Sequence, residues 1–394
     1  ALDLRYYSHT IKPGKYGIEG LPAVYAAEDE AETLEVVLRD TASAVEVTLL
    51  YAVLPALDLV TRCARIRNLG ETPVTLTKAA SLCLDISRGS WEWVHFHGRH
   101  AMERQMERRL LFHGIQEIGS TRGTSSHHQN PTVLLCTPDC TETAGACIGA
   151  ALVYSGSHQT RLECDQLGQV RMVMGIHPDL FRWELKAGET FSTPEVMLSY
   201  SDTGLETLSH HFHQAIREHI CRGKYQLAER PVLINNWEAT YFGFDTEKIL
   251  HIAEEAARLG VDMLVLDDGW FGKRDDDCSG LGDWFVNETK LSGGLHDLVE
   301  KIKGMGMRFG IWFEPEMISE DSDLYRKHPD WAIRIPDRAP MRSRYQLVLD
   351  MANPEVQEYL FRVMSDVLHS ADISYAKWDM NRSMADVYAG NLSY

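Results

Sequence analysis

The stretch MLVLDDGW, Met263 to Trp270, reads as a short strand that runs into two aspartates, a glycine and a tryptophan. A helix is expected before it, from about Thr246 to Leu259, with Asp245 or Thr246 as N-cap and Gly260 as its stop. Another is expected after it, in GLHDLVEKIKGMG (Gly294–Gly306). Strand and helix keep alternating on both sides. RPVLINNW (Arg230–Trp237) precedes as a strand, and MRFGIWFEPEM (Met307–Met317) follows as the next. A helix over about Pro354–His369 has Asn353 as N-cap and proline at its first position, and ISYAKWDM (Ile373–Met380) is a fourth strand. RYQLVLD (Arg344–Asp350) is extended too, as a further barrel strand or as an inserted one. Repeated βα units imply a parallel sheet, and polar residues gathered at the strand C-terminal ends imply a (β/α)8 barrel of the TIM type with its site on that rim. Four or five of the eight strands are legible, so the expectation is the first half of a barrel, with the chain stopping mid-barrel at Tyr394.

Upstream the period is two rather than 3.6. In TLEVVLRD (Thr33–Asp40), Leu34, Val36 and Leu38 share a face, and in AVEVTLLYAVL (Ala44–Leu54), Val45, Val47 and Leu49 do the same. Similar segments, separated by turns such as Asn68–Gly70 and Lys186–Glu189, continue to about Ser201 and predict a large antiparallel β-sandwich. TGLETLSHHFHQAIREHICRGK (Thr203–Lys224) places Leu205, Leu208, Phe212, Ile216 and Ile220 at helical spacing. The expected organisation is therefore a sandwich over 1–201, a connecting helical segment over 202–227 and the barrel portion over 228–394.

Composition narrows the function. The chain has 394 residues, 44% hydrophobic and 24% charged, as in ordinary globular proteins. A formal net charge of -18 repels polyanions, which argues against nucleic acid or an anionic membrane as partner. No run approaches the ~18 apolar residues of a membrane-spanning helix. The start, ALDLRYYSHT, lacks a signal-peptide pattern and already reads as strand, so a segment upstream is expected. Eight scattered cysteines without zinc-site spacing suit reduced thiols and a cytoplasmic location. His95, His97 and His100, the His210–His213 run and Asp275–Asp277 lack the accompanying ligands of known metal motifs, so no metal or cofactor is expected.

The strand ends share one character: Asn235-Asn236-Trp237-Glu238, Asp267-Asp268-Gly269-Trp270, Trp312-Phe313-Glu314-Pro315-Glu316 and Lys377-Trp378-Asp379. A single aspartate at a strand end is an ordinary helix cap. Four such ends in series, each with carboxylate beside tryptophan, suit a sugar, which needs hydroxyl acceptors and flat apolar faces. In YAKWDMNR (Tyr375–Arg382), Lys377, Asp379 and Asn381 share a face opposite Trp378. An ammonium beside Asp379 would favour its charged form, as a nucleophilic carboxylate requires. The plainer alternative is a strand-end ion pair without chemistry.

INNWEATYF (Ile234–Phe242), VLDDGWFGKRDDD (Val265–Asp277), LGDWFVNETKL (Leu281–Leu291), GIWFEPEMIS (Gly310–Ser319), RYQLVLDMANPEV (Arg344–Val356) and YAKWDMNR resemble, in order, the motifs of α-galactosidases of glycoside hydrolase family 36. GLPAVYAAEDEAETL (Gly20–Leu34) resembles the N-terminal β-supersandwich of that family. The resemblance implies a retaining hydrolase that removes terminal non-reducing α-D-galactosyl residues from oligosaccharides such as melibiose and raffinose. It implies Asp379 as the nucleophile that forms a covalent galactosyl-enzyme, with Lys377 and Asn381 contacting the sugar. By the same resemblance Asp267 and Asp268 accept hydrogen bonds from the 4- and 6-hydroxyls, Trp312 lines the site, Arg344 donates to it and Trp237 sits near its mouth. A homotetramer without cofactor is implied as well.

That family takes its general acid/base from a later barrel strand, so the acid is expected beyond Tyr394. Glu314 and Glu316 are read as bracing the rim. The alternative is a non-catalytic galactoside-binding or structural fragment, and α-N-acetylgalactosaminidase or transglycosylase activity are close variants. The stretch RHAMERQMERRL (Arg99–Leu110) is either surface or a contact with a neighbouring subunit.

Overall fold

A computed structural model describes residues 2–87, 89–179, 181–384 and 388. The chain divides into two compact units, Ala1–Ala228 and Glu229–Tyr394.

Alternating apolar residues make the first unit a pair of stacked antiparallel sheets. One runs in the order Arg5–Pro13, Glu32–Asp40, Val45–Leu54, Leu59–Asn68, Glu195–Ser201, Cys147–Val153, Gln129–Cys136, Glu92–Arg99, Met102–Leu110. The other runs Ala80–Ile86, Val170–Ile176, His158–Cys164, Gly114–Ser120. Trp93, Val133, Leu135 and Leu152 of the first meet Leu82, Leu162, Met172 and Met174 of the second in one core. Val45 and Val47 do bury one face of their strand, and Leu49 packs beside them, but from Leu50 the buried side is the other one: Leu50, Ala52 and Leu54. Met102–Leu110 is the edge strand of the larger sheet, in a hairpin with Glu92–Arg99, with Met102 and Met106 exposed.

The predicted connecting helix is Leu205–His219. Its buried stripe is Leu208, Phe212, Ala215 and His219, whereas Ile216, expected inside, is 42% exposed. His219 replaces it by hydrogen bonding through Nδ1 with the carbonyl of Tyr25, 2.8 Å away. All eight cysteines are unpaired thiols.

In the second unit four strands lie side by side and parallel: β1 (Leu233–Asn235), β2 (Met263–Leu266), β3 (Arg308–Phe313) and β4 (Tyr375–Trp378). Helices α1 (Thr246–Arg258), α2 (Gly294–Gly304) and α3 (Pro354–Ser370) connect and cover them. Local chemistry sets their ends. Asp245 accepts from the Lys248 amide at 2.8 Å, and Asn353 from the Glu355 amide at 2.9 Å. Gly260 (φ +81°) ends α1 in a left-handed conformation that costs a glycine nothing in sterics. Leu264, Leu266, Phe309, Ile311 and Phe313 share a core with Ile249, Ala253, Leu298, Ile302, Val356 and Leu360. All four residues of β2 are buried, as a parallel strand covered on both faces must be.

Leu347–Val348 pairs antiparallel with Met317–Ile318, so of the two readings open for RYQLVLD the inserted strand holds, as one half of a two-stranded ribbon. One detail differs from the sequence reading: Trp237 does not end the first strand. Asn235 Oδ1 accepts its amide at 2.8 Å and turns the chain into the short helix Trp237–Thr240. No helix among the described residues is long and apolar enough to cross a membrane.

Candidate active site

Parallel pairing brings the polar ends of β1–β4 to one rim. Register alone puts Trp312 opposite Lys377, and the Asp379 amide donates to the Phe313 carbonyl at 2.8 Å, which carries the pairing one residue past β4. Asp379 is thereby fixed next to Trp312, whose buried indole Nε1 donates to its Oδ2 at 3.1 Å. Asn381 Nδ2 donates to the same oxygen at 2.8 Å, and the Met380 amide to Oδ1 at 3.1 Å. Three donors converge on one carboxylate.

Lys377 does not pair with Asp379, as its position two residues away led us to expect. Its Nζ lies 2.7 Å from Asp267 Oδ2, across to the end of β2. The long lysine arm reaches past its own strand to a carboxylate that is nearly out of water and short of positive charge. Asp267 also takes a hydrogen bond from Asn235 Nδ2 and receives the Asp268 amide on Oδ1 at 2.9 Å, while its own amide donates to Asn236 Oδ1 at 2.8 Å. Asn235 and Asn236, at the end of β1, thus orient Asp267 just past β2.

Asp268 is buried and gripped by Arg274. Nε donates to Oδ1 at 3.0 Å and Nη2 to Oδ2 at 2.9 Å, while Nη1 is held by the Ser279 carbonyl at 2.8 Å. Burial pushes the Asp268 carboxyl above its ordinary range, against the pull of Arg274. Glu314, at the end of β3, is buried and likewise raised by desolvation. Its Oε1 accepts from the Asn381 amide at 2.6 Å and from Gln346 Nε2 at 2.9 Å, so it anchors the segment that carries Asp379. Glu316, also raised by burial, accepts from Trp378 Nε1 at 3.0 Å.

Asp267, Asp268, Trp312, Lys377, Asp379 and Asn381 therefore belong to the rim assembly. Trp237 stands beside it, half-buried and edge-on to Phe242 at 5.0 Å between ring centres. Arg344 is not hydrogen bonded into the network. It lies on an exposed turn with φ +52°, its guanidinium 4.0 Å from Asp277, which is in turn 3.9 Å from Arg274. Arg274 and Gln346 are the participants that sequence reading missed. Arg274 stands in KRDDD, where neighbouring charges read as a solvated loop, and no local pattern marks it as buried. Among the described residues no group of three or more His, Cys, Asp or Glu side chains is placed to hold a metal ion.

The Melibiase family model matches residues 190–394, and the glycosyl hydrolase family 36 N-terminal domain matches residues 1–186. The chain is 55% identical, over its whole length and 42% of the relative, to the bifunctional alpha-galactosidase/sucrose kinase AgaSK of Mediterraneibacter gnavus. It is 47% identical to the alpha-galactosidase AgaA of Geobacillus stearothermophilus, over 99% of the chain and 54% of the relative. The crystal structure of AgaA superposes with a TM-score of 0.98, covering all of this chain and 55% of that one. A variant of AgaA solved with raffinose, 46% identical, gives the same score over the same shares. The chain spans about half the length of the curated relatives it matches.

Proposed function

The chain belongs to the α-galactosidases of glycoside hydrolase family 36, and from that premise we propose that it acts in the retaining hydrolysis of terminal α-D-galactosyl residues. The substrates are oligosaccharides of the raffinose and melibiose kind; AgaA variants have been solved with raffinose and with stachyose. The observation that carries this reading is Asp379. It is a strand-end carboxylate held by three hydrogen bonds, one of them from a buried tryptophan at the end of the neighbouring strand β3.

In this reading Asp379 attacks the anomeric carbon and forms a galactosyl ester as the leaving oxygen is protonated, and water then releases the sugar with retention. The donors from Trp312, Asn381 and Met380 hold the carboxylate as an acceptor and fix its direction. Asp267 and Asp268 receive the 4- and 6-hydroxyls, of which the 4-hydroxyl distinguishes galactose from its epimer glucose, because a site built from buried acceptors rejects a sugar that leaves them unpaired. Lys377 donates at the same edge of the ring, Trp312 and Trp237 offer aromatic faces, and Arg344 donates to the sugar from its turn. The carboxyl group that protonates the leaving oxygen comes from a later barrel strand. A homotetramer, supported by the family resemblance, and a cytoplasmic location, supported by eight unpaired cysteine thiols, are part of the same proposal.

The test is Asp379→Ala in the full-length protein, assayed on an aryl α-galactoside. Turnover should fall by at least about a thousandfold, with an unchanged circular dichroism spectrum and unchanged binding of a galactose-like inhibitor. Activity near that of the unaltered protein would remove Asp379 from the mechanism.

A further inference from the structure

Among the cations at the rim, Arg274 is held by a side chain and by the backbone together: its fork grips Asp268, and its Nη1 donates to the Ser279 carbonyl. Arg274 is 2% exposed, yet it sits on a loop whose other acidic and basic residues face solvent. The loop is built to keep it inside. Gly280 (φ +80°) lies against Arg274 so closely that a Cβ there would meet the backbone N and Cα of Arg274 at 3.0 Å. Lys290 Nζ donates to the carbonyls of both Gly269 and Arg274 at 3.0 Å, which closes the loop. The guanidinium lies 5.4 Å from the centre of the Phe242 ring. So buried an arginine is costly to place unless its donors are used.

We propose that Arg274 is the positioning residue that makes Asp268 an acceptor of sugar hydroxyls: its fork covers one side of the carboxylate and leaves the remaining lone pairs aimed into the rim. The inference rests on the reading of Asp268 as a galactose-binding residue and adds what that residue needs in order to work. A carboxylate has about four acceptor positions, and the two donors of the fork take up only part of them. With its own oxygens clamped, Asp268 cannot rotate to meet a hydroxyl in the wrong place, so the pair reads hydroxyl direction as well as presence. The charges around it explain why an arginine is required. Asp267 on the same strand end and Asp277 on the loop both push Asp268 toward the protonated form, as does burial, and Lys377 from β4 is already occupied by Asp267. Arg274 is the cation in direct contact with Asp268. Without it the carboxyl would be pushed further toward its protonated form, in which its hydroxyl competes as a donor with the sugar hydroxyls it should receive.

The test compares the unaltered full-length protein with R274K and R274Q, using an aryl α-galactoside over a range of pH and thermal unfolding as a control. R274K keeps a charge but loses the planar fork, so KM should rise about tenfold with kcat changed far less. R274Q removes the charge, so its KM should rise further, and the acidic limb of 1/KM should move to higher pH and recover toward alkaline pH. A loss without pH recovery, or KM unchanged in both folded variants, overturns the proposal. So does unfolding of both variants, since the role would then be support of the loop alone. If the unaltered protein neither binds nor turns over the galactoside, the functional reading itself has failed, a result distinct from any outcome in the variants.

Discussion

Replacing Lys377 with methionine isolates the contact that joins the ends of β2 and β4. The perturbation keeps an unbranched stem as far as Cε and removes the ammonium 2.7 Å from Asp267 Oδ2. At that separation and an effective dielectric constant of about 20, the gross attraction is about 6 kcal/mol. Most of it is offset by the cost of taking the charges from water. Asp267 bears that cost almost fully at 4% side-chain exposure, whereas Lys377, at 36%, keeps part of its hydration. Removing one partner of a fully buried pair costs about 3–5 kcal/mol. The lysine's exposure, together with the donors that remain on Asp267 from Asn235 and the Asp268 amide, brings the expected loss to about 2 kcal/mol. That corresponds to about thirtyfold in an equilibrium constant. The clean assay is a double-mutant cycle with Asp267→Asn, read by urea unfolding and by KM for an aryl α-galactoside. Each single change should weaken the protein, and the double variant should lose much less than their sum, with a coupling of about 2 kcal/mol. A coupling below about 0.5 kcal/mol in both readouts would refute the pairing.

Two further changes probe buried carboxylates. Glu314 has its pKa raised by desolvation, so between the ordinary glutamate range and that raised value the folded protein holds a proton the unfolded chain has released. Stability from this group is full below the ordinary range and declines as pH rises through the window. Glu314→Gln keeps an oxygen for the Asn381 and Gln346 donors, so it should flatten that decline in urea unfolding at pH 4 to 8; an equally steep decline would exclude Glu314 as its source. In the sandwich, Glu195 pairs with Lys15 at 2.5 Å, both side chains almost fully buried, and also accepts the Val24 amide at 2.7 Å. Glu195→Ala should destabilise that unit by about 3–5 kcal/mol, and a loss under 1 kcal/mol by chemical denaturation would show that water reaches the lysine.

Much of the fold was legible because its causes are local. The N-caps at Asp245 and Asn353, the stop at Gly260 and the change of period from two to 3.6 depend on neighbours a few residues away, so the sequence carries them explicitly. The rim was legible for the same reason: each parallel strand ends in polar residues, and a βα repeat must deliver those ends to one side. Where strands are short, local signals blur. Leu347–Val348 looks like any other apolar pair, and only its antiparallel partner Met317–Ile318 shows that it is an insertion.

By itself, then, the sequence determined that a sandwich is followed by βα units, and that Asp267, Asp268, Trp312 and Asp379 share a rim. Tertiary structure alone decided who binds whom on it. Lys377 lies two residues from Asp379 but is bonded to Asp267, 110 positions earlier in the chain, and Arg274 turns inward from a loop that reads as solvated. The physical reason is the reach of the side chains. Backbone hydrogen bonds and periodicity act over a few residues, whereas a lysine or arginine arm seeks the least solvated opposite charge within reach, which close packing sets and sequence distance does not.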